Sequence, residues 1–264
     1  MAHPTVALFS NGASHQQHWC RAFQEGLRRH GIRADIHAPL DRVDCDLAVF
    51  WGHRHADVIR RQQGKDYLVM EQGYLGERLK NISLGFNGLN GQATFYNGSP
   101  RRADKWRHLL KPWHTGEYYL VVGQVNGDAS LQGRDINDWL AEVAGQTKGL
   151  PVMFRPHPLG RGYARYFDEH TGTLAEALAG AKAIISYSST AGVDAILSGT
   201  PTYAAHKCSM VWDVAQHDIS LPPIQPDRTV WLERMSWCQW TENEIIKGEA
   251  WEHLQSLLNQ RLSR

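Results

Sequence analysis

The sequence predicts an α/β protein with two doubly wound units, each built around a parallel sheet. Two observations predict this fold class. Short apolar runs alternate with stretches in which apolar residues recur at helical spacing, and each half of the chain shows this alternation. The apolar runs are continuous rather than interrupted by polar residues, which indicates strands that are covered on both faces.

The first half is predicted to begin with a strand at residues 5–9. A helix follows, because Trp19, Phe23 and Leu27 recur at helical spacing. Further strands and one helix complete this half, at 33–38, 46–52, 55–64 (the helix) and 66–73. Residues 76–98 are rich in glycine and asparagine and show little periodicity, so we expect a long loop there.

The second half begins near residue 117 and repeats the alternation. Strands and helices are predicted in turn at 118–124, 136–147, 151–158, 173–181, 182–189, 190–199 and 200–204. The tail after residue 233 is predicted to be helical and to pack back on the first half. We therefore expect a first domain at 1–105, a second domain at 106–240 and a bracing helix at 241–264, with the boundary inside 99–117.

Composition narrows the class of protein. The net charge is +1 at pH 7, which gives no global argument for a nucleic acid or an anionic membrane as partner. Four widely spaced cysteines form no C-x-x-C pair, so we expect reduced thiols rather than disulfides or a zinc site. The N-terminus does not resemble a signal peptide and no run is long enough to span a membrane. These features are typical of a soluble cytoplasmic protein.

Three strands of the second half end in clusters of polar side chains. The segments are GQVNGDAS at 123–130, RPHP at 155–158 and SYSST at 186–190. Because ligands of open parallel sheets bind outside the carboxyl ends of the strands, we expect these clusters to meet around one crevice.

The SYSST segment carries the most specific pattern. Ser188, Ser189 and Thr190 come at the start of a predicted helix, where free backbone N–H groups and the helix dipole favour a phosphate. Asp194, one turn into this helix, is a candidate acceptor for ribose hydroxyls. The alternative is that Ser189 or Thr190 simply caps the helix.

The other two clusters offer further donor contacts. Arg155 can pair with phosphate oxygens, and His157 can donate to a phosphate or take part in acid–base chemistry. Gln124 and Asn126 are candidate contacts to a polar ligand. Taken alone, each cluster is equally compatible with an ordinary loop or turn.

The first half supplies candidates for the acceptor side. Glu71 follows an apolar strand and can act as a general base towards an acceptor hydroxyl, with Asp57 and His53 as competing candidates. Acceptor contacts are predicted from polar side chains near two strand ends: Ser10, Asn11, His15 and His53.

Residues 101–114, RRADKWRHLLKPWH, hold five Lys or Arg residues with two tryptophans interleaved. Basic residues bind phosphates and aromatic rings stack on displaced bases, so Arg102, Lys105 and Trp106 are candidates for contact with DNA. The alternative is a solvated amphipathic helix between the domains.

Taken in order, GQVNGDAS, RPHP and SSTAGVDAILSGTPTY resemble segments of the capsule-polysaccharide glycosyltransferases that include the β-Kdo transferases. The resemblance covers 118–205 and departs from the family at Asp194, where Glu is common, and at Arg155, where Lys is common. It implies a GT-B architecture, in which two Rossmann-like domains face each other across a cleft and the second holds a nucleotide-sugar.

The resemblance also implies roles for single residues. His157 and Arg155 would bind the charged part of the donor, Ser188–Thr190 its phosphate and Asp194 its ribose. No metal or other cofactor would be required beyond the nucleotide-sugar, for which a UDP-sugar is favoured and a CMP-sugar is the alternative.

The first half is similar to phage and prophage sequences that are predicted glycosyltransferases. Phages attach sugars to hydroxymethylated bases of their DNA, so the predicted acceptor is the hydroxymethyl group of a modified pyrimidine in double-stranded DNA, in the host cytoplasm. Three alternatives remain: a capsule or lipid-linked glycan transferase with a CMP-Kdo-type donor, a nucleotide-sugar epimerase or hydrolase, and a non-catalytic binding module.

Overall fold

The computed structural model describes residues 3–53 and 66–262. The chain divides into two compact units. Of the described residues, unit 1 takes those within 1–89, 93–100 and 234–264, and unit 2 takes 90–92 and 101–233.

Unit 1 is built on a six-stranded sheet with the strand order β11-β5-β4-β3-β1-β2. Labels follow chain order, and the strands are β1 (Val6–Phe9), β2 (Ala34–His37), β3 (Leu47–Trp51), β4 (Tyr67–Gln72), β5 (Asn81–Phe86) and β11 (Gln239–Thr241). Strands β1 to β4 are parallel, whereas β5 runs antiparallel to β4 and β11 antiparallel to β5. The predicted parallel sheet is present in β1 to β4, and the two antiparallel strands at one edge, β5 and β11, were not predicted.

Strand β5 lies within residues 76–98, where a long loop was predicted. All six of its residues are buried, including the polar Asn81 and Ser83. Gly85 is required by close packing, because a Cβ there would lie 2.6 Å from the Cβ of Ala93. Polar and glycine residues thus occupy a buried strand, and this composition hid the strand from the sequence analysis.

Two faces of the unit 1 sheet are buried separately. The helices α1 (Ser14–Arg29), α6 (Glu242–Ile246) and α7 (Glu249–Leu262) contribute to the core on one face. Trp19, Phe23 and Leu27 pack there together with Trp251 and Leu254 of the tail. The predicted first helix and the packing of the tail on the first half are confirmed. The tail is not one helix, however, since β11 and a turn at residues 247–248 interrupt it.

Unit 2 is built on a five-stranded parallel sheet with the order β10-β9-β6-β7-β8. The strands are β6 (Tyr118–Val122), β7 (Val152–Arg155), β8 (Asp168–Glu169), β9 (Ala181–Ser186) and β10 (Thr202–Ala204). Helix α2 (Ile136–Gln146) packs on one face, and α3 (Leu174–Gly180) and α4 (Ala191–Ser198) pack on the other. This is the predicted doubly wound arrangement, with the short β8 as an addition.

The boundaries of the two units differ from the predicted domain boundaries in two short segments. Residues 101–105, expected in the first domain, belong to unit 2, and residues 234–240, expected in the second, belong to unit 1. The second difference arises because β11 pairs with β5. The division therefore falls inside helix α5 (Thr229–Trp237).

The cysteines and the apolar character of the helices bear on two predictions made from composition. The cysteines are buried and free of disulfides, in agreement with the prediction: Cys20, Cys45, Cys208 and Cys238. Among the described residues, no helix combines the length and the apolar character that a membrane crossing requires.

Candidate functional site

The three polar clusters of unit 2 meet at one edge of its sheet. Strands β9, β6 and β7 are neighbours and run parallel, so their carboxyl ends lie side by side. Ser188, Gln124 and His157 follow these ends within two residues. The predicted convergence of the clusters is therefore present in the structure.

Gln124 connects the ends of β6 and β9. Its Nε2 donates to the hydroxyl oxygens of Ser130, at 2.9 Å, and Ser188, at 3.2 Å. The backbone N–H of Ser188 donates in return to Gln124 Oε1 at 2.8 Å. Gln124, Ser130 and Ser188 are only 5%, 7% and 2% exposed. Gln124 and Ser188 were predicted to contact the nucleotide-sugar. Their side chains are instead enclosed, and they hold neighbouring residues of the site in position.

Tyr163 extends this network to the end of β7. Its hydroxyl donates to the backbone carbonyl of Gln124 at 2.9 Å and accepts from the backbone N–H of His157 at 3.3 Å. Gly123 and Gly160 make room for it, since a Cβ on either would lie 3.0 Å or 1.9 Å from Tyr163 atoms. Tyr163 was not predicted as a site residue. In the sequence, Gly123 and Gly160 were the signal that a large side chain packs closely against the backbone there.

The His157 side chain is held in one tautomer. Its Nδ1 accepts a hydrogen bond from the backbone N–H of Leu159 at 3.1 Å, so the proton of the neutral ring is on Nε2. Burial lowers the pKa of His157, and the nearby carboxylate of Asp128 opposes this effect. Nε2 has no acceptor within the described part of the chain. A neutral imidazole with one free N–H donor results.

The start of α4 offers further donors. Ser189 Oγ accepts from the backbone N–H of Ala191 at 3.2 Å. Thr190 precedes the helix with helical backbone angles, and its side chain makes no capping hydrogen bond. Ser189, Thr190 and Asp194 are half-buried. Thr190 therefore does not cap the helix, whereas Ser189 does cap its first turn, as the alternative stated. The next two N–H groups, of Gly192 and Val193, donate to the carbonyls of Ser189 and Thr190. The positive end of the α4 dipole still favours an anion.

Asn126 and Arg155 take part in local contacts. The Asn126 amide donates to Asp135 Oδ2 at 2.7 Å and accepts from the Ile136 N–H at 3.3 Å, which fixes the start of α2. Arg155 donates from Nη1 to the backbone carbonyl of Gly172. Both residues were predicted to contact the nucleotide-sugar. The structure gives Asn126 a capping position and ties Arg155 to the loop before α3.

In unit 1, three candidates lie at the carboxyl ends of parallel strands. Glu71 is half-buried at the end of β4, and its Oε2 lies 3.9 Å from the position of a Cβ on Gly52, just after β3. His53 Nε2 lies 3.2 Å from the hydroxyl of Tyr67. His15 meets Trp51 edge to face. Asp57, the remaining candidate base, lies outside the described residues.

Ser10 and Asn11 form the turn before α1. Ser10 is buried, and its hydroxyl donates to Gln16 Oε1 at 3.3 Å and accepts from the Gly12 N–H at 3.1 Å. Asn11 Oδ1 accepts from the Ala13 N–H at 3.0 Å. Both predicted acceptor contacts therefore stabilise a turn, and Asn11 is the exposed one of the two.

The basic segment is not a single helix. Arg102 and Lys105 lie in a short 3₁₀ turn at Pro100–Lys105, and Trp106 connects it to a second turn at Arg107–Leu109. Residues 111–117 then follow the amino edge of the unit 2 sheet, where Glu117 N–H donates to the carbonyl of Gly180 at the end of α3. The segment thus leads to the edge opposite His157.

The chemistry of the unit 2 edge fits an anion. The Ser189 hydroxyl and His157 Nε2–H are donors near the positive end of the α4 dipole, and such groups bind phosphate. In the ranges 3–53 and 66–262, no three His, Cys, Asp or Glu side chains come together in a group that could hold a metal ion.

The chain was compared with known proteins. No family model and no curated protein sequence matches it. Among solved structures, the β-Kdo 2,7-transferase of Thermosulfurimonas dismutans KpsC is 13% identical, with 94% of this chain and 99% of that chain covered and a TM-score of 0.58. The β-Kdo 2,4-transferase of the same KpsC is 12% identical, with 93% and 99% covered and a TM-score of 0.59.

At this level of identity the similarity shows the fold. The predicted fold class is confirmed: the chain is an α/β protein with two Rossmann-like domains and a glycosyltransferase-like fold.

Proposed function

We propose that this protein is a glycosyltransferase that uses a nucleotide-sugar donor. One observation carries the proposal: Ser188, Gln124, Tyr163 and His157 form a continuous chain of hydrogen bonds across the ends of three adjacent strands. This chain fixes the backbone of His157 relative to the start of α4, and the Leu159 N–H orients its ring. We propose that the ring and the start of α4 bind one phosphate group. Preorganised donors of this kind are effective because they need no rearrangement during the reaction.

In the proposed complex, the donor phosphate is bound by the Ser189 hydroxyl and His157 Nε2–H, and the positive end of the α4 dipole stabilises its charge. Asp194, half-buried one turn into α4, accepts hydrogen bonds from the ribose. Gln124 and Ser188 do not contact the donor. They position the start of α4 and, through Tyr163, the backbone of His157. The names of the structurally similar KpsC transferases support a sugar as the transferred group.

The proposed reaction is a displacement at the anomeric carbon. The oxygen of an acceptor hydroxyl bonds to that carbon while the bond to the donor phosphate breaks, and the phosphate leaves with the electron pair. The hydroxyl proton passes to a carboxylate of unit 1, for which Glu71 is our candidate. The donors at α4 and His157 stabilise the departing phosphate. We propose that a UDP-sugar, or a CMP-sugar, is the only co-substrate and that no metal is required.

For the acceptor, we keep the hydroxymethyl group of a modified pyrimidine in DNA as the first candidate. The basic residues Arg102 and Lys105 beside Trp106 support it, because such residues bind phosphates and stack on bases. A capsule or lipid-linked glycan is the second candidate, supported by the KpsC-like fold.

Labelled UDP-, CMP- and GDP-sugars incubated with hydroxymethylated DNA or with glycan acceptors test this function. Mass spectrometry of the digested products reports a transferred sugar. His157→Asn and Ser189→Ala are expected to weaken donor binding. Matched controls are His108→Asn, an exposed histidine, and Ser198→Ala, at the opposite end of α4. Turnover of the donor without acceptor would favour a hydrolase or epimerase instead.

A further inference from the structure

Unit 2 contains a second pocket, outside the proposed donor site. It has a volume of about 360 Å³ and lies beside α2, on the face of the sheet that α2 covers. Ile185, Tyr203 and Ala204 of β9 and β10 line it, together with Trp139 and Val143 of α2. Its polar lining residues are Arg134, Glu142, Gln146, Tyr187, His217 and Asp218. None of the groups proposed to bind the donor phosphate lines this pocket.

Trp139 presents an unused donor to this pocket. The residue is only 4% exposed. Its indole N–H has no acceptor within the part of the chain that the structure describes, yet it is not fully enclosed there, unlike the Trp251 N–H. Trp139 lines the pocket, so a ligand bound there would contact this residue. Buried tryptophan N–H groups usually have a partner, so this one points to a ligand with an acceptor oxygen.

Tyr187 presents a second unused group. Its ring stacks on His206, with the planes 2° apart and the centroids at 5.4 Å, and meets Trp139 edge to face at 5.9 Å. These contacts fix the ring, while the hydroxyl makes no hydrogen bond to any described residue. Burial raises the pKa of the Tyr187 hydroxyl, which also responds to the charges of Arg134 and Glu142. Tyr187 lines the pocket together with Arg134 and Glu142.

Arg134 and Glu142 form an ion pair among the lining residues. Both side chains are partly exposed, so water or a ligand can reach them. Together with the Trp139 N–H and the Tyr187 hydroxyl, they provide donors and acceptors within one small space. The apolar side chains of Val143 and Ile185 lie against the same space.

We infer that this pocket binds a sugar ring of a glycan. A pyranose offers apolar C–H surface to aromatic and aliphatic side chains, and hydroxyl groups that both donate and accept hydrogen bonds. The pocket has this combination, and a single sugar ring fits its volume. A nucleobase would find less aromatic surface to stack on, because His206 already stacks on one face of Tyr187 and Trp139 meets that ring edge to face.

The inference rests on the proposed function only in taking the ligand to be a carbohydrate. Tyr187 directly precedes Ser188, so a sugar bound here lies next to the loop that leads into α4. The pocket would hold a sugar of the acceptor or product, separate from the sugar that is transferred.

Saturation-transfer NMR with free glucose, galactose, N-acetylglucosamine and glucuronic acid tests the inference. We expect saturable binding of at least one of them with Kd in the millimolar range. Tyr187→Phe keeps the ring and removes only the hydroxyl, whereas Trp139→Phe keeps an aromatic ring but removes the indole N–H with part of the ring system. Each should weaken binding about tenfold. The matched controls are Trp113→Phe and Tyr166→Phe, which remove the same groups elsewhere in unit 2. Glu142→Gln is a third variant with little risk to folding.

Absence of saturable binding for all four sugars, or equal binding by wild type and Trp139→Phe, would overturn the inference. Uridine and cytidine form a further arm, and displacement of the sugar by a nucleoside would identify a nucleoside site instead. His157→Asn should retain sugar binding. If sugars bind in a Trp139-dependent way but no nucleotide-sugar is consumed, the pocket stands and the proposed function fails.

Discussion

Gln124 binds Ser188 at both ends of its amide. Its Oε1 accepts from the Ser188 backbone N–H at 2.8 Å, and its Nε2 donates to the Ser188 hydroxyl at 3.2 Å. The pair joins the residues that follow β6 and β9, which are neighbouring strands. The start of α4 is therefore fixed by a side chain that no ligand needs to contact.

Gln124→Ala should destabilise unit 2. The substitution leaves the buried Ser188 N–H without its acceptor and removes the donor to two hydroxyls, and each unsatisfied buried group costs about 1–3 kcal/mol. We expect a loss of about 2–4 kcal/mol in the free energy of unfolding, measured by urea denaturation. Gln225→Ala, at an exposed position, is the control and should change stability by less than about 0.5 kcal/mol. Equal stabilities of the two variants would contradict the role of this pair.

Tyr163→Phe should affect the donor site without a large effect on folding. The ring remains between Gly123 and Gly160, but the hydrogen bonds to the Gln124 carbonyl and the His157 N–H are lost. Because His157 is then less well positioned, we expect nucleotide affinity to fall about tenfold, which corresponds to about 1.4 kcal/mol. Calorimetric titration with UDP and CMP measures this, with Tyr166→Phe as control. Unchanged affinity with a well-folded protein would show that Tyr163 has only a structural role.

Nucleotide binding should become tighter as the pH falls from 8 to 6. Burial keeps the pKa of His157 below its usual value of about 6.5, so the ring is neutral in the free protein at pH 7. A bound phosphate raises this pKa, so binding takes up a proton and is favoured at lower pH. His157→Asn should have a flatter pH profile. Titrations in buffers of different ionisation enthalpy count the protons, and the prediction fails if wild type and variant take up the same number.

The same depressed pKa has a consequence for stability. The unfolded chain binds a proton at His157 more readily than the native protein does. The stabilising contribution of the neutral ring is therefore complete above about pH 6.5 and is lost as the pH falls towards the native pKa.

Glu71→Gln should lower turnover while leaving donor affinity unchanged. Glutamine has almost the same shape as glutamate but cannot take the proton of an acceptor hydroxyl, and Glu71 belongs to unit 1 rather than to the donor site. We expect turnover to fall about 10²–10⁴-fold. Glu77→Gln, an exposed glutamate in the same unit, is the control. Wild-type turnover in Glu71→Gln would assign the proton transfer to another group.

The sequence predicted the meeting point of the clusters because strand order in a doubly wound sheet follows from general rules. It did not predict which side chains face a ligand. Ser188 and Ser189 are chemically identical neighbours, and contacts with Gln124 and Ser130, which are distant in sequence, enclose Ser188 while Ser189 stays partly exposed. Asn126 likewise depends on its distance to Asp135, nine residues later.

The missed strands have a similar explanation. Strand β5 buries Asn81 and Ser83, whose polarity is typical of loops, and the pairing with a distant segment decides its conformation. Strand β11 has only three residues, and Gln239 holds it in place by accepting from the Tyr74 and Leu75 N–H groups. Long-range contacts of this kind leave no periodic pattern in the sequence.

The central claim is that the edge formed by β9, β6 and β7 binds the phosphate of a nucleotide-sugar. An amide-detected NMR titration with UDP and CMP tests it most directly. We predict that the amide resonances of Ser189, Thr190 and Ala191 and the imidazole resonances of His157 shift on addition of the nucleotide. All of these shifts should saturate and fit one dissociation constant. Saturable shifts confined to other residues, with these four unchanged, would contradict the account.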